Sequence, residues 1–297
     1  MTAISAVIPN RDGADLLRRI LPPLLLELSS PEHEIIIVDD GSEDDSRTML
    51  AEEFPQVRVL AQVASIGFGV ACNLGIEAAK NNMILLLNSD MIVSAGSIQT
   101  LVSHFTTDDL FAVGPEYQSD KPDAPPPPEV SAPVVNQIGS PAGGGLLRRD
   151  IFLQLGGFDA LYHPFYWEDL DLGWAAWRAG YKILYDSRVK FLHLENVTIK
   201  RLYTAQFVAR VKARNRAFFG WKWLREPVNL AACNRRLWRH AIAGIIKRRD
   251  TAPLLGLWDA WRQRNKALAA YPSIPAVRSE AEILKAAGID VDTLFKI

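Results

Sequence analysis

Between Phe165 and His193 the chain packs three carboxylates, Glu168, Asp169 and Asp171, into four residues and closes on a histidine. Such a group could take a proton from an alcohol while a neighbouring cluster holds a cation. The segment that carries the acids reads as a short helix, because Leu170, Trp174 and Trp177 repeat at helical spacing. Acids in a first turn are also favoured by the helix dipole, and Gly180 is placed to end the helix. The plain alternative is a charged helix start followed by a structural histidine. Tyr181 to His193 reads as extended chain.

Three further points in the chain carry polar side chains at the ends of apolar runs, and a fourth carries glycines. Ile4 to Pro9 is a short buried strand pattern that leads into Asn10, Arg11, Asp12 and Gly13. Glu34 to Val38 is a β-branched run that delivers Asp39, Asp40 and Gly41. Met83 to Leu87 ends at Asn88, Ser89 and Asp90. Gly143, Gly144 and Gly145 permit close approach of backbone to a ligand, or mark only a tight turn. Buried parallel strands that end in acids bring them to the carboxyl edge of an open sheet, where α/β proteins bind ligands.

The elements needed to position these groups alternate. Helical patterns at 14–28 (interrupted near Pro22-Pro23), 44–53 and 70–80 separate the strand patterns, with a further strand at 57–60. The fold class expected is α/β: a doubly wound, mostly parallel sheet with helices on both faces. From about Thr204 the pattern is helical and forms a C-terminal extension. The span 119–133 contains six prolines and reads as a surface loop, either a spacer or a lid.

The bulk numbers exclude some classes. With 297 residues, 48% hydrophobic and 23% charged, the chain is globular in composition and large enough for a sizeable core. Two cysteines make neither a disulfide framework nor metal-type spacing, and fit a reducing compartment. No signal-peptide pattern is expected at the N-terminus, and no apolar run approaches membrane-spanning length. Asn196-Val197-Thr198 fits a glycosylation pattern by chance. The net charge of −1 conceals a polarity: residues 200–266 hold 17 Lys/Arg against three acids, so the remainder carries −15. Five of the eight tryptophans lie in that basic segment.

The order of motifs resembles glycosyltransferase family 2, inverting enzymes of GT-A fold, and within it rhamnosyltransferase-like and galactofuranosyltransferase-like members. The pieces are Val7-Ile8-Pro9-Asn10, Val38-Asp39-Asp40-Gly41-Ser42, Gly67-Phe68 with Asn73 and Gly75, Leu87-Asn88-Ser89-Asp90, Gly156-Gly157-Phe158-Asp159, Glu168-Asp169-Leu170-Asp171-Leu172 and His193. The resemblance covers about residues 4 to 195. It implies a catalytic domain over 1–203, its nucleotide-sugar half about 1–95 and acceptor half about 96–203, followed by the basic helical extension 204–297.

It also implies roles. Pro9, Asn10, Arg11, Asp39, Asp40, Asn73, Asn88 and Ser89 would hold a nucleotide. Asp90 and His193 would hold a divalent cation, Mn²⁺ or Mg²⁺, with imidazole favouring manganese. Asp169 would be the general base with Glu168 in support. Gly144, Gly145, Trp167 and Asp171 are the candidates to face donor or acceptor sugar. Asn88 departs from the family's Asp-x-Asp, and Cys72 and Ala175 stand where relatives often carry arginine.

The expected function is transfer of a sugar from a nucleoside-diphosphate sugar, UDP- or dTDP-linked, to a hydroxyl of a glycan or lipid-linked glycan in cell-surface polysaccharide synthesis. A nucleotidyltransferase and a non-catalytic nucleotide- or glycan-binding relative are the alternatives. Residues 204–266 are expected to contact an anionic membrane or to pack on the acidic domain, with nucleic acid not expected as partner. The location expected is cytoplasmic, peripheral on the inner face of the membrane.

Overall fold

The computed structural model describes residues 2–295 except 122, 125, 128, 195, 196 and 273, and gives only the backbone of 197, 198, 200, 247 and 248. Part of the proline-rich span and Asn196 of the glycosylation pattern thus lie outside the described residues.

The strands, in chain order, are β1 Ile4–Asn10, β2 Glu34–Asp39, β3 Arg58–Ala61, β4 Met83–Leu87, β5 Met91–Val93, β6 Leu110–Ser119, β7 Val134–Asn136, β8 Gly144–Arg148 and β9 Lys182–His193. They form one sheet ordered β3-β2-β1-β4-β8-β6-β9-β5, with β7 paired to β9. The half built from β3, β2, β1 and β4 is parallel. β8 enters antiparallel against β4 and β6, while β6 and β9 run parallel through a long register. The expected α/β fold, a mixed and mostly parallel sheet with helices on both faces, is the one observed.

The helices are α1 Ala14–Glu27, α2 Ser46–Glu53, α3 Phe68–Ala78, α4 Ser97–Val102, α5 Arg149–Gln154, α6 Glu168–Arg178, α7 Val197–Leu202, α8 Ala205–Trp223, α9 Pro227–Arg248, α10 Ala252–Arg262, α11 Arg264–Ala269, α12 Glu280–Ala286 and α13 Val291–Leu294. Side chains that alternate along β1 separate two cores. Ala6 and Ile8 pack with α1, α2 and α4 on one face. Val7 joins α3, α5 and α6 on the other, and that core continues into α8 and α13.

Helix α1 is not interrupted at Pro22-Pro23 but runs through both. Pro22 is exposed, and the carbonyls left without an amide donor belong to Arg18 and Arg19 on the same solvent-facing side. Water can serve them there, and burial of Leu16, Leu17, Ile20, Leu21 and Leu24 offsets the two lost bonds. Gly180 does end α6. It adopts φ +98°, its N–H donates to the carbonyl of Trp177, and Tyr181 N–H donates to Ala176.

Candidate active site

Three parallel strands deliver their last residues to one edge. Pro9, Asn10 and Arg11 leave β1, Asp40 follows β2, and Asn88, Ser89 and Asp90 follow β4. Together with Gly67, Phe68, Tyr166 and Glu168 they line a cleft of about 190 Å³, with Tyr203 after α7 forming a further wall. The carboxyl edge of the sheet is therefore the site, as strand ends rich in acids imply.

Asn88, Ser89 and Asp90 form a tight turn between β4 and β5, closed by Met91 N–H donating to the Asn88 carbonyl at 3.1 Å. Asn88 N–H donates to Gly143 at 3.0 Å. β5 pairs antiparallel with the end of β9, Met91 opposite His193. That pairing sets His193 Nε2 3.4 Å from Asp90 Oδ2.

Asp90 Oδ1, Asn88 Oδ1, Asn10 Oδ1 and Glu168 Oε2 are buried acceptors with no protein donor. Buried oxygens are normally satisfied, so four such atoms at one cleft fit a ligand that brings positive charge or donors. Asp90 and His193 fit a hard cation that takes its other oxygens from phosphate and water. Among the described residues no cluster of three His, Cys, Asp or Glu side chains could hold a metal alone.

Glu168 and Asp169 are the first residues of α6. Burial pushes the Glu168 carboxyl well above its ordinary 4.5, and the Asp169 charge raises it further. Burial also raises Asp169, but its carboxylate is partly stabilised by the N–H groups of Leu170 and of Asp169 itself. Glu168 lines the cleft. The Asp169 backbone carbonyl accepts from Ser140 N–H at 3.0 Å and fixes the helix start against the approach to β8.

The turn before α6 is unusual. Tyr166 and Trp167 both lie at positive φ, +70° and +80°, a rare conformation for aromatic residues. Asn215 of α8, fully buried, holds it in place: its Nδ2 donates to the carbonyls of Tyr162, Phe165 and Tyr166 at 2.9, 3.0 and 2.8 Å. The twist aims Tyr166 at the cleft and Trp167 away from it. Burial, then the charges of Glu168 and Asp90, raise the Tyr166 hydroxyl, which places that ring within the field of both acids.

Several residues expected at the ligand lie elsewhere. Trp167 is buried against Phe219 and Phe295, so the cleft-facing aromatic is its neighbour Tyr166. Asp171 is buried and away from the cleft lining, accepting from Tyr162 Oη at 2.7 Å, Lys222 Nζ at 2.8 Å and Trp223 Nε1 at 2.6 Å. Asn73 exchanges two hydrogen bonds with the backbone of Phe158 and fastens α3 to the loop before α6. Asp39 is fully buried and accepts from Arg47 Nε at 2.6 Å. Its neighbour Asp40 reaches the cleft, with its carboxylate accepting from Ser65 Oγ and the amides of Ile66 and Gly67.

Gly144 and Gly145 are strand residues of β8. A side-chain carbon on Gly145 would meet Pro141 and the Val113 carbonyl at 2.7 Å, and one on Gly144 would meet Phe191 at 3.0 Å. Close packing inside the sheet, rather than approach to a ligand, accounts for both. The aromatic wall of Phe68, Tyr166 and Tyr203 and the fastening role of Asn215 were not visible in the sequence. No spacing announces two consecutive positive φ values, and Asn215 sits in a run of basic residues.

A parallel α/β half-sheet with a cleft at its carboxyl edge, flanked by a carboxylate pair and an Asp–His pair, gives the chain a GT-A architecture. Residues 5–158 match the family description "Glycosyl transferase family 2", more than half of the chain, and the protein belongs to that family. An uncharacterized glycosyltransferase of Nostoc sp. is 36% identical over 114 residues, covering 37% of this chain and 35% of that protein. The chain thus spans about a third of the length of that curated relative. N-acetylglucosaminyl-diphospho-decaprenol L-rhamnosyltransferase of Mycobacterium tuberculosis is 28% identical over 220 residues, covering 60% of this chain and 71% of that protein. Among solved structures, GalNAc-T7 with UDP, GalNAc and Mn²⁺ superposes with a TM-score of 0.62 at 15% identity, over 99% of this chain and 56% of that one, a likeness of fold.

Proposed function

We propose that the protein is an inverting glycosyltransferase that moves a sugar from a UDP- or dTDP-sugar to a hydroxyl of a glycan or lipid-linked glycan in cell-surface polysaccharide synthesis. The observation that carries this reading is the set of unpartnered buried oxygens of Asn10, Asn88, Asp90 and Glu168 around one cleft at the carboxyl edge of the sheet. Family membership supports it. So do a relative named as a rhamnosyltransferase acting on a lipid diphosphate sugar and a structural neighbour that contains UDP and Mn²⁺.

In this reading Pro9, Asn10, Arg11, Asp40 and Ser89 take the nucleotide. Asp90 and His193 would hold a divalent cation, which supplies charge stabilisation for the departing diphosphate when bound. Glu168 and Asp169 divide the proton chemistry. Glu168, its proton affinity raised by burial and by its neighbour, is the member of the pair that keeps its proton to higher pH. Asp169, steadied by two backbone amides, is the carboxylate that accepts the proton of the attacking hydroxyl. The hydroxyl oxygen forms its bond to the sugar's anomeric carbon as the bond to the diphosphate oxygen breaks on the opposite face, and the configuration inverts.

Thermal stabilisation by UDP, dTDP, GDP and their sugars, each with and without Mn²⁺, tests the donor site, because a ligand bound to the folded state raises its melting temperature. A metal-dependent shift with one nucleotide family, reduced by Asp90→Ala, is expected. No shift with any nucleotide under either condition would sink the proposal.

A further inference from the structure

Helices α9 and α10 pack on α8 and on each other through one face, with Cys233, Leu237 and Ala241 buried from α9 and Gly256, Leu257 and Ala260 from α10. A surface helix that buries one stripe normally turns a polar stripe outward. Here the outward stripe is also apolar. On α9, Trp238, Ile242 and Ile246 are exposed at spacings of four, Ile246 by 74%. On α10, Leu255, Trp258 and Trp261 are exposed at spacings of three. Trp258 and Trp261, each more than half exposed, stack on one another with centroids 5.2 Å apart. Stacking hides only one face of each ring.

The charge around these side chains has one sign. No Asp or Glu occurs between Pro227 and Arg249. Arg235, Arg239, Arg249 and Arg262 are exposed, and among the described residues none is taken up by a carboxylate. The two nearby acids are engaged: Asp259 pairs with Arg210, and Asp250 accepts from the N–H of Ala252 at the start of α10.

We infer that the outer faces of α9 and α10 form an interfacial docking surface for an anionic lipid bilayer. Indoles sit at the level of lipid headgroups, aliphatic side chains enter the acyl boundary, and arginines meet the anionic phosphates. The chemistry selects against the other occupants. Aliphatic side chains such as Ile242, Ile246 and Leu255 have nothing to contact on a nucleic-acid backbone, whose affinity is set by charge. A second copy would bring one arginine-rich surface, whose two acids are already engaged, against another, since a two-fold interface repeats the same patch. Attachment is interfacial: among the described residues no helix is long and apolar enough to cross a membrane.

The test is co-sedimentation of the full chain with phosphatidylcholine vesicles, either pure or with a third of the lipid replaced by phosphatidylglycerol, read together with tryptophan emission. The expected result is binding and a blue shift on the anionic vesicles only. Trp258→Ser with Trp261→Ser should reduce the blue shift to the share of Trp238 and weaken binding. Each arginine near the surface is worth about fivefold in affinity, so Arg235→Glu with Arg239→Glu should weaken binding by more than tenfold. These positions are exposed, so circular dichroism, melting temperature and the nucleotide-dependent thermal shift should match the parent chain. Loss of docking is thereby separated from loss of the donor site. The inference is overturned if the parent chain ignores phosphatidylglycerol or if either double variant binds like the parent. It is also overturned if duplex DNA is bound more tightly than the vesicles, or if the tryptophan pair mediates a dimer by sedimentation.

Discussion

Glu168 and Asp169 are chain neighbours whose proton affinities burial shifts in the same direction, but they differ in what surrounds them. Glu168 has an orphan oxygen and an adjacent acid, while Asp169 has amide donors. If Glu168 works as a neutral acid, Glu168→Gln preserves shape and hydrogen bonding and should lower kcat by less than about tenfold. Removing the proton acceptor by Asp169→Asn should cost about a hundredfold or more. The reverse ranking would exchange the two roles. Stability gives an independent check. The unfolded chain releases the Glu168 proton near 4.5, whereas the folded chain keeps it to higher pH, so folding takes up a proton in that window. The stability tied to this group is complete below 4.5 and falls as pH rises through the folded value. Glutamine does not titrate. The melting temperature of Glu168→Gln should therefore gain on the parent as pH rises above about 4.5. At this scale the sequence was informative wherever a strand end dictated the position, as at Asn10, Asn88 and Asp90. It could not say which of Asp39 and Asp40 faces the ligand, because a one-residue change of side inverts the answer.

Elements were legible where hydrophobic period and stop signals agreed, as in β4, β9 and the glycine-terminated α6. They were less so where tertiary contacts decide. The approach to α6 shows why: its conformation is imposed by α8, some fifty residues later, through Asn215. Asn215→Ala would leave three buried carbonyls without that donor, and an unsatisfied buried group costs about 1–3 kcal/mol. A loss of about 2 kcal/mol or more is expected by urea denaturation. Because the same carbonyls set the twist between Tyr166 and Trp167, donor affinity should fall as well, even where the variant remains folded. A stable variant with unchanged donor affinity would show that the rest of α8 alone holds the loop.

Over the whole molecule, the basic extension and the acidic first part do not meet only at their surfaces. Trp167, Trp174, Phe219, Trp223 and Phe295 belong to one core that crosses the boundary expected at residue 203. Lys222, with its side chain 4% exposed, binds Asp171 and Asp159 at 2.8 Å each. Burial works against its charge, but the two carboxylates overcome that and raise its proton affinity. Removing one member of a buried ion cluster leaves an uncompensated charge, which costs about 3–5 kcal/mol. Lys222→Met should show a loss of that size. Adding Asp171→Asn should recover most of it, since Asp159 is 30% exposed and can be hydrated. By contrast, the ion pair of Arg201 in α7 with Asp15 in α1, at 2.7 Å and within the first part of the chain, is about half exposed on both sides. Arg201→Ala should therefore cost less than about 1 kcal/mol. Equal losses for the two substitutions in urea denaturation would mean that the buried Lys222 cluster, which ties the extension to the first part of the chain, contributes no more than a solvent-exposed ion pair.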